Sequence, residues 1–482
     1  MFAVAAASSK EGDSGGGLFS FKWPWDGQPA NAAEASSSSS SRQRQAIPPD
    51  NVERLSGRTK GKNAQGATNE VLGIIEGIRH KRMGSGDIVT SEIGLGTQRW
   101  GSSDFNGPDE KLCHEMLDYG ILENGLSLID TAEQYPIPSG RGAPEGLTEE
   151  IIGRWLAKDK TRRDKVAIAT KITGGSNVNR VNIERDCEDS LKRLGTDYID
   201  LYLLHWPARY TPQSNWGQSL QYHRDTEGSP YYRNHASFEE IAEAMSKLVK
   251  AGKIRGWGMC NDNAYGLAAS CAAAKLLGGG ATAPCVMQND FSLIDRRAEE
   301  NGVSEASSPI HENVGFMAYN TLAGGVLTGK YLSGPPPAPD DKDLLRARGS
   351  MAKPRGRMDT MGWGRTLYRY RSEPASQAVR EYAKLADKYG MSLTEMAIKW
   401  CQSRDLVTST LLAHTSMQQL RQCLEIAKDS TYNSDGSRRL LLPEELMWEI
   451  DRVHMKNRLP VFASERVGRD WYGEGEIGER IP

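Results

Sequence analysis

The sequence predicts an α/β fold, a (β/α)8 TIM barrel that follows a disordered N-terminal tail. Three observations predict it: β-rich runs alternate with segments of helical periodicity, the runs are almost continuously apolar, and eight of them can be counted. Apolar strands that alternate with helices indicate a parallel sheet covered on both faces, either open and doubly wound or closed as a barrel. Eight pairs of strand and helix favour closure.

Residues 1–78 differ in composition from the rest of the chain and form the predicted tail, whereas residues 79–482 form the predicted barrel. The tail has a glycine run at 15–17, six consecutive serines at 36–41 and little apolar periodicity, which is typical of disorder. Its MFAVAAASSK and SSSSSSRQRQ segments resemble an organelle transit peptide, but the acidic residues between them are untypical of one. A chloroplast, another organelle and the cytoplasm all stay open as locations.

The eight predicted strands lie between predicted helices along the rest of the chain. In order, they are IGLG near residue 93, LSLID near 126, KVAIATK at 165–171, YIDLYLLH at 198–205, KIRGWGMCN at 253–261, CVMQND at 285–290, GFMAYN at 315–320 and LVTSTLLAH at 406–414. Among the segments between them, 183–194 and 238–252 carry apolar residues at i, i+3 and i+4, which predicts helices. The second segment ends on a glycine, a common signal for the end of a helix.

The composition argues against several classes of protein. Its 60 Lys+Arg and 62 Asp+Glu give a net charge of −2, so no basic excess indicates binding to nucleic acid or to a membrane surface. The apolar runs are shorter than the ~20 residues that cross a bilayer, and we expect a soluble intracellular protein. The seven scattered cysteines contain no C-x-x-C pair, which predicts buried or idle thiols and no metal site. A small molecule is therefore the predicted partner.

Two glycine-rich stretches come close to phosphate-binding motifs without matching them. GLGTQR at 94–99 has Arg99 where a Rossmann fingerprint has its third glycine. GGVLTGKY at 324–331 begins like a P-loop but has Tyr331 where a serine or threonine would bind Mg²⁺. Since it follows the seventh predicted strand, where barrel enzymes often hold phosphate, it predicts a phosphate contact but no ATP hydrolysis.

Titratable residues end three consecutive predicted strands, and the chemistry of such barrels belongs to these strand ends. Asp130 ends the second strand, with Tyr135 just beyond it, Lys171 ends the third and His205 ends the fourth. Singly, Asp130 fits a turn cap, Lys171 a solvated cation and His205 a packed imidazole. Together they predict a proton-transfer site, because a lysine held by an aspartate favours ionisation of a nearby tyrosine. His205 would then orient a substrate oxygen, and a hydride donor would complete the reaction.

Seven motifs resemble those of the aldo-keto reductase superfamily, over residues 80 to 456. They are SEIGLGT, LIDTAEQY, IATK, DSLKRLGTDYIDLYLLHWP, GKIRGWGMCN, YNTLAGGVLTGKY and TSMQQL. AEQYPIP and the long insertion after His205 are similar to the Tas-type branch. The resemblance implies a barrel that binds NADP(H) without a Rossmann fold and reduces an aldehyde or ketone. It places Asp130, Tyr135, Lys171 and His205 on the catalytic tetrad, with Tyr135 as the general acid.

The resemblance also implies a set of contacts to NADP(H). It assigns Asn261 and Gln288 to the nicotinamide carboxamide and Tyr319 to stacking on the ring. The other implied cofactor residues are Thr97, then Leu322, Ala323, Gly324 and Lys330 along the pyrophosphate, and Thr415, Ser416 and Gln419 near the 2′-phosphate. Strand-end hydrogen bonding for the two amides and helix capping for Thr415 and Ser416 stay open as structural roles.

Four positions depart from the family pattern, and a second function stays open beside the first. Ala413 and His414 replace Gly-Ala, Cys423 replaces an asparagine near the adenine, and Cys260 replaces a serine. The alternative is a nicotinamide-binding regulatory subunit with little turnover, similar to the channel β-subunits of this superfamily. Those subunits have asparagine where this chain has His205, which favours the enzyme. The sequence predicts no oligomeric state.

Overall fold

A closed barrel of eight parallel strands lies at the centre of the fold, as predicted. The computed structural model describes residues 65–102, 107–140, 142–209, 211, 235–332, 356–357, 370, 372–428 and 441–462. The strands are β1 (Val71–Ile75), β2 (Ile78–Arg82), β3 (Val89–Ser91), β4 (Ile93–Gly96), β5 (Leu128–Asp130), β6 (Ala167–Ile172), β7 (Ile199–Leu204), β8 (Ile254–Cys260), β9 (Val286–Asp290), β10 (Gly315–Tyr319) and β11 (Ser409–Leu412). β4 to β11 form the barrel, which closes where β11 pairs with β4.

Helices follow most of the barrel strands and pack around them. They are α1 (Glu110–Leu117), α2 (Leu147–Ala157), α3 (Arg180–Leu194), α4 (Phe238–Lys250), α5 (Ala264–Leu277), α6 (Arg297–Glu300), α7 (Val303–Ser307), α8 (Glu373–Lys388), α9 (Leu393–Ser403), α10 (Met417–Lys428) and α11 (Glu444–Lys456). The two segments predicted as helices correspond to α3 and α4. In α4, Ser237 caps the N terminus, and Ile241, Met245 and Leu248 are buried on one face.

Alternation along the strands divides the core into two layers. One cluster, which includes Leu128, Leu201 and Met317, fills the barrel interior. The neighbouring residues Ile129 and Tyr202 belong to the larger cluster that the barrel shares with its helices. Because successive side chains of a strand point to opposite faces, each barrel strand contributes to both layers.

A three-stranded antiparallel sheet of β1, β2 and β3 precedes the barrel, and the sequence analysis did not predict it. The predicted boundary between tail and barrel, at residue 78, falls at the start of β2, so the ordered body begins earlier than expected. The reason is that β2, IRHKR, looks like polar surface but is buried along its length. Residues 1–64, and with them the predicted transit segment, lie outside the described residues.

Three features considered in the sequence can be examined in the described residues, namely membrane-spanning helices, metal clusters and the state of the cysteines. No helix in this part of the chain is both long and apolar enough to cross a membrane. Within the same ranges, no cluster of three or more His, Cys, Asp or Glu side chains has the arrangement of a metal site. All seven cysteines are free thiols, and all but Cys285 are buried.

A buried ion pair joins the N-terminal sheet to the barrel. Nε of Arg79, on β2, donates to Oε2 of Glu92 at 2.5 Å, and the backbone N–H of Arg79 donates to the same carboxylate. The side chains of Arg79 and Glu92 are 3% and 1% exposed. Since Glu92 directly precedes β4, the pair fixes the sheet against the first strand of the barrel.

We expect Glu92→Ala to destabilise the protein by about 3–5 kcal/mol, because it leaves a buried guanidinium without its carboxylate. Glu115→Ala is the matched control, since it removes an exposed ion pair with Lys111 and such pairs contribute about 0–1 kcal/mol. Chemical denaturation of the three proteins measures both changes. Equal free energies of unfolding for the two variants would contradict a supporting role for the N-terminal sheet.

Candidate active site

The side chains of Asp130 and Lys171 meet at the carboxyl-terminal end of the barrel interior. Both follow the inward alternation of their strands, β5 and β6. Nζ of Lys171 donates to Oδ1 of Asp130 at 2.8 Å and to the carbonyl oxygen of Thr131 at 2.7 Å. Nε2 of Gln288, on β9, donates to the same Oδ1 at 2.6 Å. Asp130 therefore pairs with Lys171 as expected, and Lys171 is no solvated cation because it is fully buried.

The carboxylate keeps the buried lysine charged. Burial alone lowers the pKa of the Lys171 ammonium, but the nearby Asp130 and Tyr135 outweigh it and raise the pKa above its ordinary value. A buried ammonium without such a partner would shift its pKa downward and lose its proton. Lys171 thus holds a positive charge near the rings of Tyr135 and His205.

Tyr135 lies in the loop after β5, where its ring faces both Lys171 and His205. Nζ of Lys171 is 5.2 Å from the centre of the Tyr135 ring, and the ring centres of Tyr135 and His205 are 5.7 Å apart in an edge-to-face arrangement. Burial raises the pKa of the Tyr135 hydroxyl, and the Lys171 charge lowers it by less. The sequence argument had the sign of the lysine effect right but did not include the larger effect of burial.

His205 directly follows β7 and is held by its backbone. Its N–H donates to the carbonyl oxygen of Ile172 at 2.9 Å, and its own carbonyl accepts from Nδ2 of Asn261 at 3.0 Å. Burial, with a smaller contribution from Lys171, holds the pKa of His205 well below 6.5, so its imidazole is neutral. Within the described part of the chain, its buried Nδ1 has no hydrogen-bond partner.

Asn261, Gln288 and Tyr319 form a connected group beside the tetrad. Oη of Tyr319, at the end of β10, donates to Oδ1 of Asn261 at 2.6 Å. Asn261 has a positive φ of 59°, and its Nδ2 also lies 3.2 Å from Sγ of Cys260, which contacts Oε1 of Gln288 at 3.4 Å. The strand-end hydrogen bonding considered for the two amides is therefore present. Each amide retains capacity for a ligand, since an amide has two donors and two lone pairs.

The predicted pyrophosphate residues lie at the same rim. Thr97 follows β4, and its Oγ1 donates to the carbonyl oxygen of Asp130 at 2.8 Å. After β10, Leu322 leads into a short helical segment, Ala323–Thr328, in which Ala323 and Gly324 have positive φ angles. Lys330 follows, with Nζ 5.3 Å from the centre of the Tyr331 ring.

Thr415, Ser416 and Gln419 lie where β11 leads into α10. Oγ of Ser416 accepts from the backbone N–H of Gln419 at 3.3 Å, and Oε1 of Gln419 accepts from the backbone N–H of Thr415 at 2.8 Å. Ser416 therefore caps α10, which was the alternative left open. A helix N terminus is also a favourable place for a phosphate, so the two roles are compatible.

No role at the site was predicted from the sequence for Arg99 or Arg357, whose charges act on residues of this region. Arg99 is 5% exposed, and burial lowers its pKa to about 10. The pKa of Arg357 is also lowered to about 10, by burial and then by the charge of Arg99, and the charge of Arg357 in turn lowers the pKa of Tyr135. Arg99 was noted only as a missing glycine, and the sequence around Arg357 has no periodicity that would have revealed it.

Comparison with known proteins identifies the family to which the barrel belongs. The model of the Aldo/keto reductase family matches residues 92–437. Protein tas of Escherichia coli is 34% identical over 394 residues, which cover 80% of this chain and 99% of that protein. The same figures hold for Protein tas of Shigella flexneri.

A relative outside the Tas proteins is similar over a shorter region. Aldo-keto reductase YhdN of Bacillus subtilis is 31% identical over 321 residues, which cover 65% of this chain and 78% of that protein. The family match spans the whole barrel, from the residue before β4 to beyond α10. The chain therefore belongs to the aldo/keto reductase family and is an oxidoreductase that acts on carbonyl compounds.

Proposed function

We propose that the protein reduces an aldehyde or ketone to an alcohol with NADPH, and that Tyr135 is the general acid. The observation that carries the proposal is the buried ammonium of Lys171, which Asp130 holds 5.2 Å from the centre of the Tyr135 ring. A fixed positive charge at this place stabilises the tyrosinate that forms when the hydroxyl gives its proton away.

Burial keeps Tyr135 protonated but also makes it a weaker acid, and the charge of Lys171 offsets part of that effect. The raised pKa of its hydroxyl means that the proton is present at every working pH. As negative charge develops on the carbonyl oxygen, the Tyr135 proton moves to that oxygen, and Lys171 becomes the counter-ion of the tyrosinate. Asp130 supports this step by keeping Lys171 charged, because without the carboxylate the buried ammonium would lose its proton.

His205 orients the carbonyl. Its neutral imidazole carries one N–H donor and one acceptor, so it can donate a hydrogen bond to the carbonyl oxygen without competing as an acid. The edge-to-face contact with Tyr135, 5.7 Å between ring centres, brings both donors to one place above Lys171. In this arrangement two neutral donors face one oxygen, and the positive charge of Lys171 lies close to Tyr135.

The residues of the rim fit a nicotinamide cofactor, which supplies the hydride when bound. Gln288 retains one N–H donor, the amides of Asn261 and Gln288 each retain a lone pair on the side-chain oxygen, and Tyr319 presents a half-buried ring beside them. Lys330 and Arg357 would supply positive charge to the pyrophosphate. Gly356, the residue before Arg357, lies against Lys330, since a Cβ added to Gly356 would be 2.6 Å from Nζ of Lys330. Thr97, Leu322, Ala323 and Gly324 complete the proposed pyrophosphate side.

The proposed preference for NADP(H) depends on Thr415, Ser416 and Gln419. They lie at the N terminus of α10, where backbone N–H groups and the helix dipole favour a 2′-phosphate. The small-molecule substrate would approach from the open end of the barrel, where the loop after β7 begins.

We expect Tyr135→Phe to reduce turnover by roughly 10²–10⁴ while NADPH affinity hardly changes, because only the proton source is lost. Lys171→Met should lose turnover similarly, and the double variant should be little worse than either single one, since both act on one proton transfer. Steady-state reduction of a panel of aldehydes and ketones, with NADPH titration by fluorescence, measures both quantities. Full turnover in Tyr135→Phe would remove the proposed acid, and tight NADPH binding without any turnover in the wild type would favour the regulatory-subunit alternative.

The second expectation concerns the preference for NADPH over NADH. Ser416→Ala should weaken NADPH binding by about ten- to a hundredfold and leave NADH binding nearly unchanged, because a charge-assisted hydrogen bond to the 2′-phosphate is lost. Ser392→Ala is the matched control, since Ser392 caps α9 in the same way, with its Oγ accepting from the backbone N–H of Glu395 at 3.1 Å. If both variants changed the two affinities equally, Ser416 would be a helix cap only.

A third expectation follows from the two shifted pKa values. Because the pKa of His205 lies well below 6.5 and that of Tyr135 above 10, neither group changes its protonation between about pH 6 and about pH 9. The rate of carbonyl reduction at saturating substrate should therefore be nearly constant over this range. A titration of the rate with a midpoint near pH 6.5 would show that His205 is exposed enough to take a proton.

A further inference from the structure

A bidentate ion pair joins the start of the loop after β7 to the end of β8. Nη1 of Arg209 donates to Oδ2 of Asp262 at 3.0 Å, and Nη2 donates to Oδ1 at 2.7 Å. Nη2 also donates to Oδ1 of Asn263 at 3.2 Å. The Asp262 carboxylate is almost fully buried. Paired hydrogen bonds of this kind fix the orientation of both partners as well as their distance.

Two aromatic rings hold the guanidinium in place. Cζ of Arg209 is 5.3 Å from the centre of the Phe238 ring and 5.6 Å from that of Tyr265, and the two rings pack edge to face. Arg209 lies near the start of the loop after β7, and Phe238, the first residue of α4, lies just beyond its end. The contact between them therefore joins the two ends of the loop. Arg209 thus joins both ends of the loop to the turn that follows β8.

Asp262 is fixed from its other sides as well. Its carbonyl oxygen accepts from Nδ2 of Asn289, on β9, at 2.8 Å. Gly266 lies directly against the carboxylate, since a Cβ added there would be 2.3 Å from Oδ1. Asn263, which shares Arg209 with Asp262, caps α5. The residue thereby connects the ends of β7, β8 and β9.

The residue before Asp262 is Asn261, which needs such support. Its φ of 59° lies in the left-handed region, which asparagine adopts more readily than most non-glycine residues but which is kept only where the surroundings hold it. In that conformation its amide reaches both His205 and Tyr319. The position of the Asn261 amide thus depends on how firmly the next residue is held.

We propose that Arg209 and Asp262 are positioning residues that hold the Asn261 amide for the nicotinamide end of the cofactor. They do so by tying the turn after β8 to both ends of the loop after β7. The inference rests on the proposed function, since it names residues that serve the same cofactor site. Among the described residues, no hydrogen bond or ion pair joins Arg209 or Asp262 to the tetrad side chains, so the proposed effect passes through Asn261.

The test compares two ligands that share one half of the cofactor. Arg209→Met keeps the stem of the side chain and removes the charge, and Asp262→Asn removes the other partner. We expect each variant to bind NADPH about ten- to a hundredfold more weakly, whereas the affinity for adenosine 2′,5′-bisphosphate, which lacks the nicotinamide, should stay within about twofold. The double variant should be little weaker than either single one, because both remove the same interaction. Arg180→Met is the matched control, since it removes an exposed ion pair with Glu243.

Two further readouts separate positioning from general stability. Arg209→Lys should recover only part of the NADPH affinity, because an ammonium cannot form the bidentate pair. Without ligand, amide hydrogen exchange should become faster at residues 261–266 in Arg209→Met and stay unchanged in β6.

The outcomes distinguish the two proposals. An unchanged NADPH affinity in Arg209→Met and Asp262→Asn, beside tight binding by the wild type, would overturn the positioning role alone. An equal loss of affinity for both ligands would also overturn it, because it would indicate general destabilisation. A wild-type protein that binds adenosine 2′,5′-bisphosphate but not NADPH would overturn the proposed function, and with it this inference.

Discussion

Closure of the barrel is the constraint on which the site depends. The pairing of β11 with β4 leaves every barrel strand with two neighbours, and because the strands are parallel all eight end at one rim. The register then decides which side chains meet. Asp130 pairs with Ala169, two residues before Lys171, so that both charged side chains point inward from neighbouring strands. Gln288 lies opposite Cys260 and reaches the same carboxylate from across the barrel.

The other end of the barrel is built for stability. The turn between β2 and β3 contributes Met83 and Ile88 to the interior cluster, and Arg79 of β2 is paired with Glu92 just before the first barrel strand. This division is common in barrels of this kind, where residues at the amino-terminal face stabilise the fold and those at the carboxyl-terminal face carry the chemistry.

The electrostatics of the rim follow from burial as much as from charge. Burial raises the pKa of Tyr135 and lowers that of His205, so both are neutral donors above the one ammonium of Lys171. The loops decide how a cofactor meets this centre. Asn261 is strained and contacts His205 directly, while Arg209 holds the turn behind it and both ends of the neighbouring loop. These hydrogen bonds thus join the proposed cofactor side of the rim to the proposed substrate side.

The sequence predicts the eight barrel strands and the pairing of Asp130 with Lys171 that the structure contains. Alternating apolar runs leave few folds open, and in a closed parallel barrel every strand end reaches one rim. It did not reveal the N-terminal sheet, because the charges of β2 are buried by partners distant along the chain, such as Val407, which accepts from Nζ of Lys81. Nor did it reveal Arg357, whose charge acts on the pKa of Tyr135 and whose sequence neighbours show no periodicity. The direction of the Tyr135 pKa shift and the contacts of Arg209 are visible only in the tertiary structure. Desolvation and long-range ion pairs depend on which segments pack together in space, and the sequence pattern does not contain that information.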